Sequence, residues 1–276
     1  MATSRTLGTE PGAGRIAAAR APEIRRMTRA DVLDALRQGL EDFRARPSHY
    51  AFVAVVYPVI GFALFAWASR GEALELVYPL VAGFALVGPI AALGPYEISR
   101  RRERGLDASW GHALDVFRSP ALPSLLAVGV VLLLLFGAWI AAAEAIYLWT
   151  LGPGAASSLP ALAGTVFGTA EGWSMLLVGN LVGFLFALAA LCVSVVSLPL
   201  LLDRPEIGAA EAVTTSVRAV RRNPGPMLLW GLIVAGVLLL GAIPALAGLI
   251  VALPVLGHAT WHIYRKAVVD GRPAAR

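Results

Sequence analysis

The sequence predicts an all-α polytopic membrane protein with six transmembrane helices, arranged as three hairpins, each preceded by a cytoplasmic interfacial amphipathic helix. Three observations predict it. Of 276 residues, 58% are hydrophobic and only 15% charged, against about a quarter charged in soluble domains, and the mean hydropathy is +0.71. Crossing ~30 Å of hydrocarbon takes ~20 mostly apolar residues. Such runs recur at 50 to 69, 75 to 96, 124 to 150 and 172 to 202, with a longer block at 226 to 264. Finally, 22 of the 23 Lys and Arg residues fall in alternate loops, Arg70 being the exception. Under the positive-inside rule that pattern requires six spans with both termini cytoplasmic.

Residues 1–27 are rich in Ala, Gly and Arg and lack the apolar core of a signal peptide. They read as a disordered cytoplasmic tail, followed by a membrane domain over 28–268 and a short cytoplasmic tail over 269–276. The first amphipathic segment, "TRADVLDALRQGLEDFRAR", opens with Thr28 and, three residues on, Asp31, a capping-box pattern. Helical periodicity aligns Val32, Leu33, Leu36, Leu40 and Phe43. The second, "DASWGHALDVFRS", aligns Trp110, Ala113, Leu114 and Phe117. The third, "PEIGAAEAVTTSVRAVRRN", aligns Ala209, Val213, Val217 and Val220. Each ends in arginine followed by Pro47, Pro120 or Pro224. An amphipathic helix buries its apolar face at the headgroup boundary, its arginines reach toward phosphates, and proline turns the chain into the bilayer.

The block from 226 to 264 divides at Pro244, since proline removes a backbone donor and clashes with the preceding turn. Two hairpin exits are alike: "PIAALGPYEISR" runs from Pro89 to Arg100 and "PVLGHATWHIYR" from Pro254 to Arg265. The loop "GPGAASSLPALAGTVFGTAEG" carries no basic residue and has room for a short interfacial helix from Ser158, but not for a catalytic domain.

The net charge of +5 belongs to arginines near span ends, where anionic headgroups attract them, so no nucleic-acid partner is expected. Arginine outnumbers lysine 22 to 1, a GC-rich bias that points to a bacterial inner membrane. One cysteine, Cys192, supports neither a disulfide framework nor a CxxC metal site. Walker, GxSxG and HExxH motifs are absent, and the chain reads as no enzyme.

Five residues stand out. Glu144 lies six residues before Thr150, and Asn180 eight residues into the fourth span, at similar depths of ~9 to 12 Å. A carboxylate there faces protein or a water-filled cavity. Its functional reading is a proton or solute site; its structural one is an interhelical hydrogen bond, with Gly179 and Gly183 admitting a neighbouring backbone. His258 and His262 share a helix face, and His49 opens the first span on the same side. A haem or metal site can be drawn from them, but histidine and aromatics at span ends also fit an interfacial belt. No metal and no cofactor is expected.

The stretches "LEDFRARPSH", "VGNLVGFLFALAALCVSVVSLPLLLDR", "SVRAVRRNPGPMLLWGLIVA" and "LPVLGHATWHIYRKAV" resemble the bacterial integral-membrane proteins grouped as domain of unknown function 2189, over about residues 24 to 268. The resemblance implies a membrane protein without an assigned activity. Some members carry the label cytochrome c oxidase subunit I, which needs twice as many spans and more histidines than His49, His112, His258 and His262 supply. Two function classes follow. One is a membrane scaffold organising lipid, a protein partner or a second copy at the cytoplasmic face. The other is a small-solute transporter or channel subunit, with Glu144 and Asn180 beside a pathway broken by Pro58, Pro79, Pro89 and Pro254.

Overall fold

The computed structural model describes residues 22–45, 59, 62, 63, 66, 74–154, 158–244 and 246–269. Helices dominate: α1 (Arg29–Ala45), a 3₁₀ turn (Leu74–Leu76), α2 (Val77–Ala91), α3 (Leu93–Glu103), a 3₁₀ helix (Trp110–Arg118), α4 (Leu122–Thr150), α5 (Leu159–Gly168), α6 (Ala170–Ser194), α7 (Ser197–Asp203), α8 (Ala209–Arg222), α9 (Pro224–Ala242) and α10 (Leu249–Ala267). Among the described residues there is no strand, only an antiparallel bridge between Ile24 and Val268.

Among the described residues, three helical runs are long and apolar enough to cross a membrane: Leu122–Thr150, Ala170–Asp203 and Pro224–Ala242. Their outward surface is apolar, with Leu134, Leu177 and Leu232 each about two-thirds exposed. The run expected to span at 75 to 96 is divided between two helices. Pro89 lies in the last turn of α2, which stops at Ala91 after 15 residues, about 22 Å of helix, and the chain turns at Ala92 into α3. The expected final span, α10, is more polar, because it carries His258, His262, Arg265 and Lys266, and most of its second half is buried in protein. The expected first span, 50 to 69, lies outside the described residues apart from Val59, Phe62, Ala63 and Ala66. The division at Pro244 is present: α9 ends at Ala242, the Ala247 amide donates to the Pro244 carbonyl at 2.9 Å, and α10 starts at Leu249. A Cβ on Gly248 would stand 2.7 Å from Gly241 Cα; glycine at both positions lets the ends of α9 and α10 touch.

The three amphipathic segments turn to the protein faces other than the apolar stripes expected at the headgroup boundary. The Thr28 amide and hydroxyl both donate to Asp31 Oδ2, at 2.7 and 2.8 Å, and the Asp31 amide donates to Thr28 Oγ1 at 3.2 Å, closing the capping box. Beyond it α1 buries Val32, Ala35, Gly39 and Asp42, at spacings of three, four and three. Leu33 is 57% exposed. The cause is proximity: a Cβ on Gly39 would meet the Ala259 amide nitrogen of α10 at 2.5 Å, and only small side chains permit such an approach. Likewise α8 buries Ala212, Thr215, Ser216, Ala219 and Val220, whereas Ala209, Val213 and Val217 are half-buried. Ser216 Oγ accepts the Val196 amide at 3.2 Å where α6 breaks into α7, so the polar face supplies a partner that the break requires. The second segment is 3₁₀ rather than α. Its three-residue period turns Val116 inward and leaves Leu114 and Phe117 exposed. The short helix expected from Ser158 is α5, capped by Ser158 Oγ accepting the Ala161 amide.

Residues 22–27, assigned to the disordered tail, are instead fastened. The Arg25 amide donates to the Ala267 carbonyl at 2.8 Å and the Val269 amide to the Glu23 carbonyl at 2.9 Å. Apolar Ile24 and Met27 pack against the same core, and this combination of ladder bonds and burial outweighs the tail-like composition. The buried core concentrates at this end, where α1, α3, α7, α8 and the second half of α10 meet.

Candidate functional site

Between α1, α3 and α10 lies a buried polar cluster centred on Asp42. Its position follows from α1's small-residue face: Val32, Ala35 and Gly39 seat the helix on α10, and Asp42, one turn further, is carried into the same interface. Ser99 of α3 stands 2.5 Å from Asp42 Oδ2 through its hydroxyl, and 2.7 Å from His258 Nδ1. His262 Nε2 lies 3.0 Å from the same carboxylate oxygen, and Arg102 pairs with Oδ1 at 3.0 Å. Ser99 is 1% exposed and His258 fully buried. Burial pushes the Asp42 carboxyl upward, but hydrogen bonds from His262 and Ser99 and the nearby imidazoles outweigh it and hold the group below the ordinary aspartate value.

The proton arrangement decides what the cluster can do. An ionised carboxylate only accepts, so the Ser99 hydroxyl donates to Asp42, and the Ser99 oxygen is left to accept from His258 Nδ1–H. That order differs from a nucleophile relay, in which an imidazole takes the serine proton and the carboxylate stands behind the imidazole. Here serine sits between acid and imidazole and is sealed from substrate. The chemistry available is cohesion: three helices joined through one carboxylate in a medium where an unpaired charge would be expensive. A cavity of about 370 Å³, lined by Asp42, Ile98, Arg102, Leu106 and Asp107 among others, opens beside the carboxylate.

Further ionic ties surround the cluster. Lys266 donates to Asp34 at 2.7 Å, a bond that leads the causes holding the Asp34 carboxyl below its ordinary value. Asp203, at the end of α7, accepts from Arg104 at 2.7 Å and from the Tyr264 hydroxyl at 2.8 Å. Glu103 accepts from Trp261 Nε1 at 3.0 Å and from Arg265 Nε at 2.9 Å. Asn223, at the α8–α9 elbow, accepts the Met27 amide at 2.7 Å and donates to the Arg25 carbonyl at 3.0 Å, so it binds the N-terminal segment to the entry of an apolar helix.

The residues singled out by sequence divide. His258 and His262 do share a face, and what they share it with is Asp42. No group of three or more His, Cys, Asp or Glu among the described residues is arranged to hold a metal ion. His49 lies outside the described residues. Asn180 is exposed; it accepts the Tyr78 hydroxyl at 2.9 Å and donates to the Leu176 carbonyl at 2.8 Å, an interhelical bond between α6 and α2. Gly183 admits the Trp139 ring rather than a neighbouring backbone, since its Cβ would stand 3.0 Å from that ring, while Gly179 has nothing within 4 Å. Glu144, about 33 Å along α4 from its first residue, has a buried Oε2 without a hydrogen-bond partner. Asp42, Ser99, Asp203 and Asn223 were not among the residues singled out. Asp42 alone left a signal: an acid in phase with Val32, Ala35 and Gly39 on one helical face.

Residues 77–203 match the family described as "Predicted integral membrane protein (DUF2189)". This is shorter than the stretch from 24 to 268 expected from the sequence; of the four quoted segments it takes in only the one ending at Arg204, up to Asp203. Nothing among the curated proteins or the solved structures matches the chain.

Proposed function

Taking residues 77–203 as a region of the predicted integral membrane proteins DUF2189, we propose that the chain is a non-enzymatic scaffold of a bacterial inner membrane. It crosses six times, has both termini in the cytoplasm, and organises lipid, a protein partner or a second copy at that face. The alternation of 22 of 23 basic residues supports the six crossings. Cysteine labelling tests them: residues 1–48, 100–120, 204–223 and 266–276 label from the cytoplasm and 152–170 from outside.

The observation that carries the scaffold reading is the internally bonded cluster at Asp42. Its serine is neither activated nor accessible, and its bonds join α1, α3 and α10 into one platform. Replacing the serine separates this role from chemistry. Ser99→Ala lowers thermal stability and leaves any cellular phenotype intact in proportion to the folded protein that remains. A lost phenotype at unchanged stability and abundance would overturn the reading.

A second reading, a small-solute transporter or channel subunit, draws on Glu144, whose buried oxygen without a partner lies in an apolar helix. Intramembrane carboxylates mark many ion and solute pathways.

A further inference from the structure

The three amphipathic segments differ in what they leave uncovered. The small face of α1 is taken up by α10, and α8 is packed against α6 and α7. The 3₁₀ helix Trp110–Arg118 is the exception. Its three-residue period buries Val116, sets Ala113 against Gly94 of α3, and stacks Leu114, 53% exposed, and Phe117, 69% exposed, on the next edge round. Arg118 next to them has an 88% exposed side chain, drawn only loosely toward Asp115 at 3.8 Å. Four residues after Arg118 the chain enters α4, whose uncovered Leu126, Val130, Leu133 and Leu134 lie on a helix long and apolar enough to cross a membrane.

From this we propose that the Leu114–Phe117 edge is a lipid-docking surface: the two side chains sit at the boundary between acyl chains and headgroups, and Arg118 takes an anionic phosphate there. Continuity with α4 argues for lipid as the occupant. An apolar edge that runs within a few residues into a membrane-crossing helix meets the bilayer surface first, and a guanidinium at its end complements a phosphate in charge and fork geometry. A short 3₁₀ segment also suits this place, because its backbone polar groups stay near the headgroups rather than in hydrocarbon. The proposal rests on the membrane-embedded part of the reading above and not on the scaffold role.

The test uses the full chain in nanodiscs, with Cys192→Ser and a polarity-sensitive fluorophore on Phe117→Cys, on Leu114→Cys, or on the solvent-facing control Arg37→Cys. In discs containing phosphatidylglycerol, the probes at 117 and 114 emit to the blue of the probe at 37 and are quenched by lipids brominated high on the acyl chain. Adding Arg118→Glu reduces that quenching in phosphatidylglycerol discs and leaves it unchanged in pure phosphatidylcholine. Probes at 117 and 114 that match the control and yield to an aqueous quencher overturn the proposal. So does a blue emission insensitive to brominated lipid, which assigns the edge to a protein or a second copy. Equal quenching with and without Arg118→Glu overturns the anionic part. The scaffold reading fails separately, through the Ser99→Ala phenotype, because probe depth is measured without any partner.

Discussion

The carboxylate of Asp42 and the hydroxyl of Ser99 meet at 2.5 Å across the contact between α1 and α3, and the same carboxylate oxygen is reached from α10 by His262 at 3.0 Å. One atom thus holds three helices that are distant in sequence. Asp42→Asn keeps the shape but replaces one acceptor oxygen with a donor and removes the charge opposite Arg102. Hydrogen bonds to charged groups contribute about 1.5–3 kcal/mol. The variant should lose stability of that order, read as a lower melting temperature in detergent and earlier proteolysis within α1. An unchanged melting temperature would mean that the cluster does not hold α1.

Acid should act through the same carboxylate. Asp42 lies below its ordinary value when folded, so its contribution is fully present above the unfolded value of about 3.9. It is lost as the pH falls through the lower folded value. The groups that face it are Ser99 and Arg102 from α3 and His258 and His262 from α10. As the pH falls below about 3.9, the melting temperatures of the wild type and Asp42→Asn should therefore draw together as the wild type gives up its advantage. Curves that remain parallel would remove Asp42 from the acid response.

Gly39 tests the fit that brings Asp42 inward. Gly39→Val places a Cβ against the Ala259 backbone, which cannot rotate away, and overpacking of this kind costs about 1–3 kcal/mol. Gly236→Ala is the control, since nothing lies within 4 Å of its Cβ position and helix propensity alone favours alanine by about 1 kcal/mol. The first variant should expose α1 to protease while the second holds or gains stability. Equal behaviour would show that the close approach is not required.

Asn223 sits in the stretch "VRRNPGPMLLWG", where charge, proline and apolar sequence meet. Proline at the first helical position accounts for the turn, but the residue before it ties the turn to Arg25 and Met27. Asn223→Leu removes both bonds and leaves two backbone groups without them, a loss of about 1–3 kcal/mol. Asn223→Ser, able to restore one, should fall between. Faster cleavage near residues 22–27 is the readout, and a cleavage rate equal to wild type in Asn223→Leu would sink this role.

What was legible in sequence was periodicity and punctuation. The capping box at Thr28, the break at Pro244 and the helix from Ser158 rest on local chemistry and are present. Which face each amphipathic helix turns to the protein was not legible, because hydrophobicity ranks Leu33 above Gly39 whereas the α10 contact selects by size. The Asp42 cluster escaped for a related reason. Its members come from positions 42, 99, 258 and 262, and two are of types that are ordinary at helix surfaces. Only the spacing of Asp42 with Val32, Ala35 and Gly39 hinted at burial, and the histidine pair pointed to the right face but to no partner.

Glu144 separates the two functional classes. Its Oε2 is buried in α4 with no hydrogen-bond partner, so the group gives up solvation on one side without compensation. Under the scaffold reading neither Glu144→Gln nor Glu144→Leu harms the protein. Glutamine keeps the shape, leucine suits the apolar helix, and removing an ionisable group from a membrane segment relieves a cost of up to about 2.5–3.5 kcal/mol at mid-span and less toward an end. Melting temperature should hold or rise in both, and any growth phenotype of the intact chain should persist. Under the transport reading the fold is equally tolerant, but Glu144→Gln can no longer exchange a proton or bind a cation, and growth or flux is lost at normal abundance. Stability therefore does not discriminate, and the phenotype does. Glu144→Gln with a raised or equal melting temperature and no function would replace the scaffold with a pathway through α4.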